Sequence, residues 1–355
     1  MTINVTMYDT VALLGVMRQM QPPTSYWRDL SFSNTYFSDD EFIDFEKLGD
    51  VRRIAPFVAP MTEGQPIYSS GSIMTRFKPA YIKPKDAVNP TRPLKRLPGT
   101  LGEYNGTGAG PNMQQRYTAI VADILRVHSD AIQRRWEWMA AQATITGQVT
   151  ITDERYPQRV INFGRNSAHS VVLGTGSHWG DTGVNILDDI LTWREMIRRA
   201  FFGGPTTRIT MGPNAWNICR NDTAIQNLLK FGMDKYANGL DPNMGLRDGN
   251  LIESVGKLSN SLEVIVYSDY YQSPVDGSQI PYLDPDTIVI TGPNVQGFAC
   301  FGAILDPYAN FQPLAMFPRM YLENDPPSTM VLTQSAPLYV PVNPNNTFSA
   351  VVTNV

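Results

Sequence analysis

The sequence predicts an α+β chain in which extended, proline-rich segments flank a compact α/β centre. Three observations predict it. Eight prolines from Pro56 to Pro98 punctuate alternating apolar and polar residues, which reads as ribbon and not as a central strand. A run of helical periodicity from Asn112 to about Thr144 contains no proline and stops before Gly147. From Val184 onward, helix and strand patterns alternate at short spacing.

Residues 1–50 read as an arm. Met7–Met20 carries Val11, Leu14 and Arg18 at helical spacing, and Pro22-Pro23 ends it. Seven aromatics follow (Tyr26, Trp27, Phe32, Tyr36, Phe37, Phe42, Phe45), interleaved with the acids Asp39, Asp40, Glu41, Asp44 and Glu46. Such a segment packs either on its own domain or on a neighbouring subunit, and the residues leave both open. Residues 51–98 read as a two-stranded ribbon needing a surface to lie on, with a strand over Ser72–Ile82. From Arg76 onward it is basic: Arg76, Lys78, Lys83, Lys85, Arg92, Lys95 and Arg96 face Asp86 alone. The charge fits nucleic acid or an acidic partner surface, and the acids of the arm are a candidate partner. Residues 99–111 form a glycine-rich connector that matches no phosphate-binding loop.

Asn112 is placed to cap the long helix, a rod of roughly 45–50 Å. Asp123, Arg126, Asp130, Arg134 and Glu137 draw a polar stripe with an Asp130–Arg134 pair, and Ile120, Ile124, Val127 and Ala131 an apolar one. A strand pair is expected over Gln148–Phe163, then a polar loop over 164–183. The centre should hold helices over Ile186–Phe202, Pro213–Cys219 and Asp222–Phe231. Strands are expected at Arg208–Met211, Leu262–Tyr267, Thr287–Ile290 and Gly297–Leu305, and the alternating stretch Met330–Val352 ends on a strand.

Of the 355 residues 42% are hydrophobic and only 17% charged, against roughly 25% charged in ordinary soluble domains. A surface poor in charge suits a chain covered by partners. A net charge of −4 argues against a protein that grips nucleic acid over its whole surface. No run of 18 apolar residues is present to cross a membrane, and Val11–Val16 is too short for a signal peptide. Cys219 and Cys300 belong to no metal motif and read as buried free thiols. His128 reads as structural. His169 and His178 share a loop without a carboxylate ligand between them. The acid pairs Asp188-Asp189 and Asp284/Asp286 read as caps and turns. HExxH, GxSxG and Walker A motifs are lacking, so no catalytic residue, cofactor or metal is expected.

Two stretches carry a resemblance: Arg76-Phe-Lys-Pro-Ala-Tyr-Ile-Lys-Pro-Lys-Asp-Ala-Val-Asn-Pro90 and Thr329-Met-Val-Leu-Thr-Gln-Ser-Ala-Pro-Leu338. Both resemble signatures of the phage lambda major head protein family (protein E type). The resemblance implies the Hong Kong 97-type phage capsid fold. Residues 1–50 would be the N-terminal arm and 51–98 the extended loop. Residues 99–183 would be the peripheral domain with its spine helix, 184–310 the axial domain, and 311–355 a return to the peripheral domain. It implies a structural, non-enzymatic shell protein: pentamers and hexamers tiling an icosahedral shell around double-stranded DNA, held without sequence specificity. It also implies a portal, a trimeric decoration protein touching arm and loop, and shells without covalent cross-links. The virion capsid would assemble in the host cytoplasm. Because the chain starts almost directly with the arm, the scaffold is expected to be a separate protein. Arm acids and loop bases are then expected to meet across subunits. Two alternatives stand beside this reading: an encapsulin-like nanocompartment shell sharing the fold, and a β-rich hydrolase with an unrecognised site.

Overall fold

The computed structural model describes residue 13 and residues 25–40, 42–48, 72–89, 113–153, 156–226, 251–259, 262–273, 276–325 and 327–353. Helix α1 (Tyr26–Ser31) leads to strand β1 (Asn34–Phe37), then β2 (Ile43–Leu48), β3 (Ser72–Phe77) and β4 (Lys85–Val88). Helix α2 (Met113–Ile145) is the long rod, 33 residues and roughly 50 Å. Its buried face changes partners along its length. Ile120, Val121, Ile124 and Leu125 meet Leu13, Val88, Met320 and Val331. Ile132, Trp136, Met139 and Ala140 join Trp27, Phe77, Phe301 and Tyr339 in a larger core. One helix thus ties together segments from both ends of the chain.

The first half of the expected stripe, Ile120 and Ile124, is buried as expected, but beyond it the buried face lies one step round. Val127 is 49% exposed and Ala131 is exposed, while His128 and Ile132 turn inward. The fit of i, i+3 and i+4 spacing was satisfied by two neighbouring stripes, and the packing partners chose between them. The expected Asp130–Arg134 pair gives way to Arg126, which reaches Asp123 at 2.9 Å and Asp130 at 3.8 Å. The helix ends at Gly147 (φ +70°), where a Cβ would collide with the Arg165 side chain. The Arg165 guanidinium donates to the terminal carbonyls of Thr144 (3.2 Å) and Ile145 (2.6 Å). A cation at a helix C-terminus satisfies orphan acceptors and the negative end of the dipole together.

Strands β5 (Gln148–Asp153) and β6 (Tyr156–Asn162) form the expected antiparallel pair. The stretch expected as loop contains β7 (Ser170–Val172), which joins the edge of a six-stranded sheet. That sheet runs β7, β18 (Phe348–Val351), β13 (Thr287–Thr291), β8 (Arg208–Met211), β10 (Leu262–Tyr267), β9 (Ile252–Ser259). Helices α3 (Ile186–Arg199) and α4 (Pro213–Asn221) contribute Ile190, Trp193, Ile197 and Trp216 to its core, with Ile209, Val264, Ile288 and Phe348 from the strands. Asn185 caps α3 through Leu187 N–H, and Pro213 occupies the first turn of α4. Asp222 caps the start of the next helical turn, whose continuation beyond Gln226 lies outside the described residues.

Several expectations are corrected. The described strands of 51–98 do not pair with each other. Strand β3 pairs antiparallel with arm strand β2, and β4 pairs with β16 (Ser328–Gln334), itself joined to β15 (Phe317–Glu323). Residue 300 is not central: β14 (Gly297–Phe301) ends four residues earlier than expected and lies between β1 and β17 (Pro337–Pro341), beside the long helix. Strand β18 crosses the other way, into the six-stranded sheet. The chain therefore passes more than once between the core beside the long helix and that of the six-stranded sheet. Cys219 and Cys300 are free and lie in separate cores, and burial pushes both thiols up to about 12, so they stay protonated.

Candidate assembly surfaces

The arm divides into an anchored half and a presented half. Trp27 is fully buried against Tyr26 (5.1 Å) and Tyr267 (5.4 Å), both edge-on. Phe32 is buried edge-on to Tyr339. The N-terminus of α1 is held by Glu137 of α2, whose carboxylate accepts the backbone N–H groups of Tyr26 (2.8 Å), Trp27 (2.6 Å) and Arg28 (3.2 Å). A six-residue helix has little stability of its own, and here a carboxylate from 110 residues away satisfies its orphan donors. Glu137 is thus buried, not part of the solvated stripe. Burial pushes its carboxyl above the usual range, outweighing the three N–H groups and Arg28. The available signal was local: Trp136-Glu137-Trp138 sets a carboxylate between two indoles, poor company for a solvated acid.

Past Phe32 the arm turns outward. All four residues of β1 are exposed although the strand pairs in parallel with β14. Tyr36 and Phe37 are 46% and 49% exposed, and Phe37 stacks on Phe301 at 5.6 Å. Asp39 and Asp40 are exposed in the turn that follows. Asp44 does not wait for another subunit: Arg76 donates to it at 2.8 and 2.9 Å across the β2–β3 pair, which corrects the expectation for these two residues. The same guanidinium lies 5.5 Å from the Phe42 ring, with the Lys78 ammonium at 5.9 Å. Glu46 stands opposite Met74 in the register. Lys83 and Lys85 are exposed, Lys85 resting over Tyr321 at 5.4 Å. Asp86, the ribbon's acid, meets the buried His128 Nε2 at 2.9 Å. Glu41, Arg92, Lys95 and Arg96 lie outside the described residues, as do most of Met7–Met20 and all of the glycine-rich connector.

A second surface was not visible in the sequence. The loop from Leu305 to Gln312 is closed at its base by Ile304 N–H donating to Gln312 O (3.1 Å). Inside it Asp306 is buried, accepting from Arg319 (3.0 Å), Gln334 Nε2 (2.7 Å) and the Tyr308 N–H (3.0 Å). Tyr81 completes the network, donating to Gln334 Oε1 (2.7 Å) and accepting from the Leu305 N–H (3.0 Å). Burial works to raise the Asp306 carboxyl, but these donors together hold it below the usual range. Leu305-Asp306-Pro307 was the only clue, an acid placed to cap a proline-led turn.

Among the described residues, no cluster of three or more His, Cys, Asp or Glu could hold a metal, and no helix is long and apolar enough to cross a membrane. His169 is buried and meets Thr347 O at 3.3 Å, while His178 lies 3.9 Å from Asp181, so the two histidines serve separate local contacts.

The model of the family described as phage major capsid protein E matches residues 9–352. The chain belongs to that family. The major capsid protein of Escherichia phage lambda is 24% identical over 344 residues, covering 96% of this chain and 97% of the relative. That of Escherichia phage N15 is likewise 24% identical, with the same coverage. Among solved structures, a prophage capsid protein from E. coli CFT073 superposes with a TM-score of 0.73 at 21% identity, covering 98% of this chain and 100% of the other. The asymmetric unit of the bacteriophage PhiM1 mature capsid reaches 0.50 at 12% identity, covering 100% and 92%. Fold and family agree with the resemblance carried by residues 76–90 and 329–338. As a member of this family the chain is a structural capsid protein and not an enzyme.

Proposed function

We propose that the chain assembles as pentamers and hexamers into an icosahedral shell that encloses double-stranded DNA without reading its sequence, within the host cytoplasm. The observation that carries this reading is the split arm. One half is locked into its own core by Trp27 and Glu137, while the other presents Tyr36, Phe37, Asp39 and Asp40 to solvent. A monomeric protein gains nothing by holding an aromatic strand rigidly in water, whereas a shell subunit gains a preformed contact. Purified chain viewed by negative stain should show closed shells. Monodisperse monomers on a sizing column would overturn the reading, and particles filled with protein cargo and free of DNA would favour a nanocompartment.

The exposed acids Asp39 and Asp40 and the exposed bases Lys83 and Lys85 are proposed to face neighbouring subunits, with Lys78 beside them. Glu41, Glu46, Arg92, Lys95 and Arg96 remain part of the same proposal. Each solvent-exposed pair contributes only ~0–1 kcal/mol, but the contact repeats in every subunit and steers association. Asp39→Lys with Asp40→Lys should leave the monomer folded and suppress shell formation, and assembly of the wild type should slow as salt shortens the screening length. Adding Lys78→Glu, Lys83→Glu and Lys85→Glu should restore part of the yield. Normal assembly of the doubly reversed arm would refute the pairing. A decoration protein docking on arm and ribbon, a separate scaffold and a portal complete the proposed assembly.

A further inference from the structure

The loop 305–312 is built more firmly than a connector requires. Its ends are bridged, Ile304, Ala309 and Phe317 form a small core beneath it, and buried Asp306 and Gln334, joined by the partly exposed Arg319 and Tyr81, pin its start. Two consecutive non-glycine residues, Asn310 (φ 50°) and Phe311 (φ 57°), hold left-handed backbone. Asparagine tolerates that conformation, but phenylalanine does so at a cost. What the strain and the buried Asp306 achieve is display: Leu305, Tyr308 and Phe311 stand 62%, 71% and 56% exposed. Arg319 supports Tyr308 from beneath at 3.9 Å. Beside Leu305 opens a cavity of about 400 Å³ lined by Lys78, Pro79, Tyr81, Pro157, Arg159, Ala303, Leu305 and Ala336, two bases among apolar groups and no carboxylate. A solvent-facing large side chain, Leu305, at the rim of a pocket on a braced loop is what a preorganised interface provides.

We propose that this loop and its cavity receive the Tyr36–Asp40 segment of a second copy of the chain. The proposal rests on the shell reading above and names the partner for the presented half of the arm. Charge complementarity selects the occupant. The cavity offers an apolar floor with Lys78 and Arg159 at its wall, and the arm offers two exposed aromatics followed within three residues by two exposed acids. Tyr36 or Phe37 would fill the cavity against Leu305, and Asp39 and Asp40 would lie toward the bases. Segment and receptor sit on one chain, so a contact between two copies either pairs them reciprocally or propagates, both of which a closed lattice uses.

Two tagged chains test this, one carrying Phe37→Cys and the other Leu305→Cys at the cavity rim, co-expressed, assembled and mildly oxidised. Cys219 and Cys300 are buried and give no background. A disulfide-linked dimer containing both tags should form in particles, and neither in unassembled chain nor in particles bearing one variant alone. Mixed particles without that dimer, or dimers of equal yield with Leu305→Cys alone, would overturn the proposal while leaving the shell reading intact. Failure of the wild-type chain to form particles would overturn the shell reading and this inference with it. As a second measurement, Leu305→Ala, at a side chain 62% exposed, should leave the urea midpoint of the monomer unchanged and lower particle yield by about tenfold or more. An unchanged yield would overturn the proposal independently of any cross-link.

Discussion

Replacing Trp27 by alanine is expected to cost the unassembled chain about 3–5 kcal/mol, the range for removing a large buried aromatic. Trp27 is 0% exposed and sits edge-on to two tyrosines in the larger core, among groups from α2, β14 and β17. These come from distant parts of the sequence and cannot close over the cavity without moving the spine helix. The loss should appear as a lower urea midpoint, and limited proteolysis should cut near residue 30 sooner. Shell yield should fall too, because an undocked arm no longer presents Tyr36 and Phe37 in a fixed place. A loss below about 1 kcal/mol, with the arm still protected, would show that Trp27 is not the anchor.

Glu137→Ala is expected to destabilise the arm by about 2–3 kcal/mol, since three backbone N–H groups lose a charged acceptor. Glu137→Gln separates shape from charge. Its carbonyl oxygen can still accept from Trp27, so the loss at neutral pH should stay within about 1 kcal/mol. The pH dependence has a definite sign. Burial raises the Glu137 carboxyl above its ordinary 4.5, so folding is favoured below that value and the contribution is lost as pH rises through the higher folded one. The stability of the wild type relative to Glu137→Gln should therefore decline from acid toward neutral pH. A rise in that difference over the same interval would mean that hydrogen bonding, and not desolvation, governs the carboxyl.

Much of the local structure was legible because it depends on near neighbours. The proline-free periodic stretch gave the long helix to within a residue at its C-terminal end, the strand pair after it followed from alternation, and Pro213 marked a helix start. The candidate site was legible only in part. Asp39 and Asp40 are exposed as an assembly surface requires, yet Asp44 and Arg76, two of the charges expected to reach across subunits, meet within one chain. Composition told that acids and bases were present in adjacent segments; it carried no information on strand register, which places Asp44 directly opposite Arg76.

The amino-acid sequence was enough to establish the α+β class, the long helix and membership of a capsid family, since propensity, periodicity and two contiguous motifs are all short-range or linear signals. Three features were decided only by tertiary structure: which stripe of the helix is buried, that Glu137 caps a helix some 110 residues earlier, and that Asp306, Arg319, Gln334 and Tyr81 converge under one loop. Each depends on which distant surfaces come together. A side chain's burial and the partner it finds belong to the packed interior as a whole, and no local window of sequence contains that information.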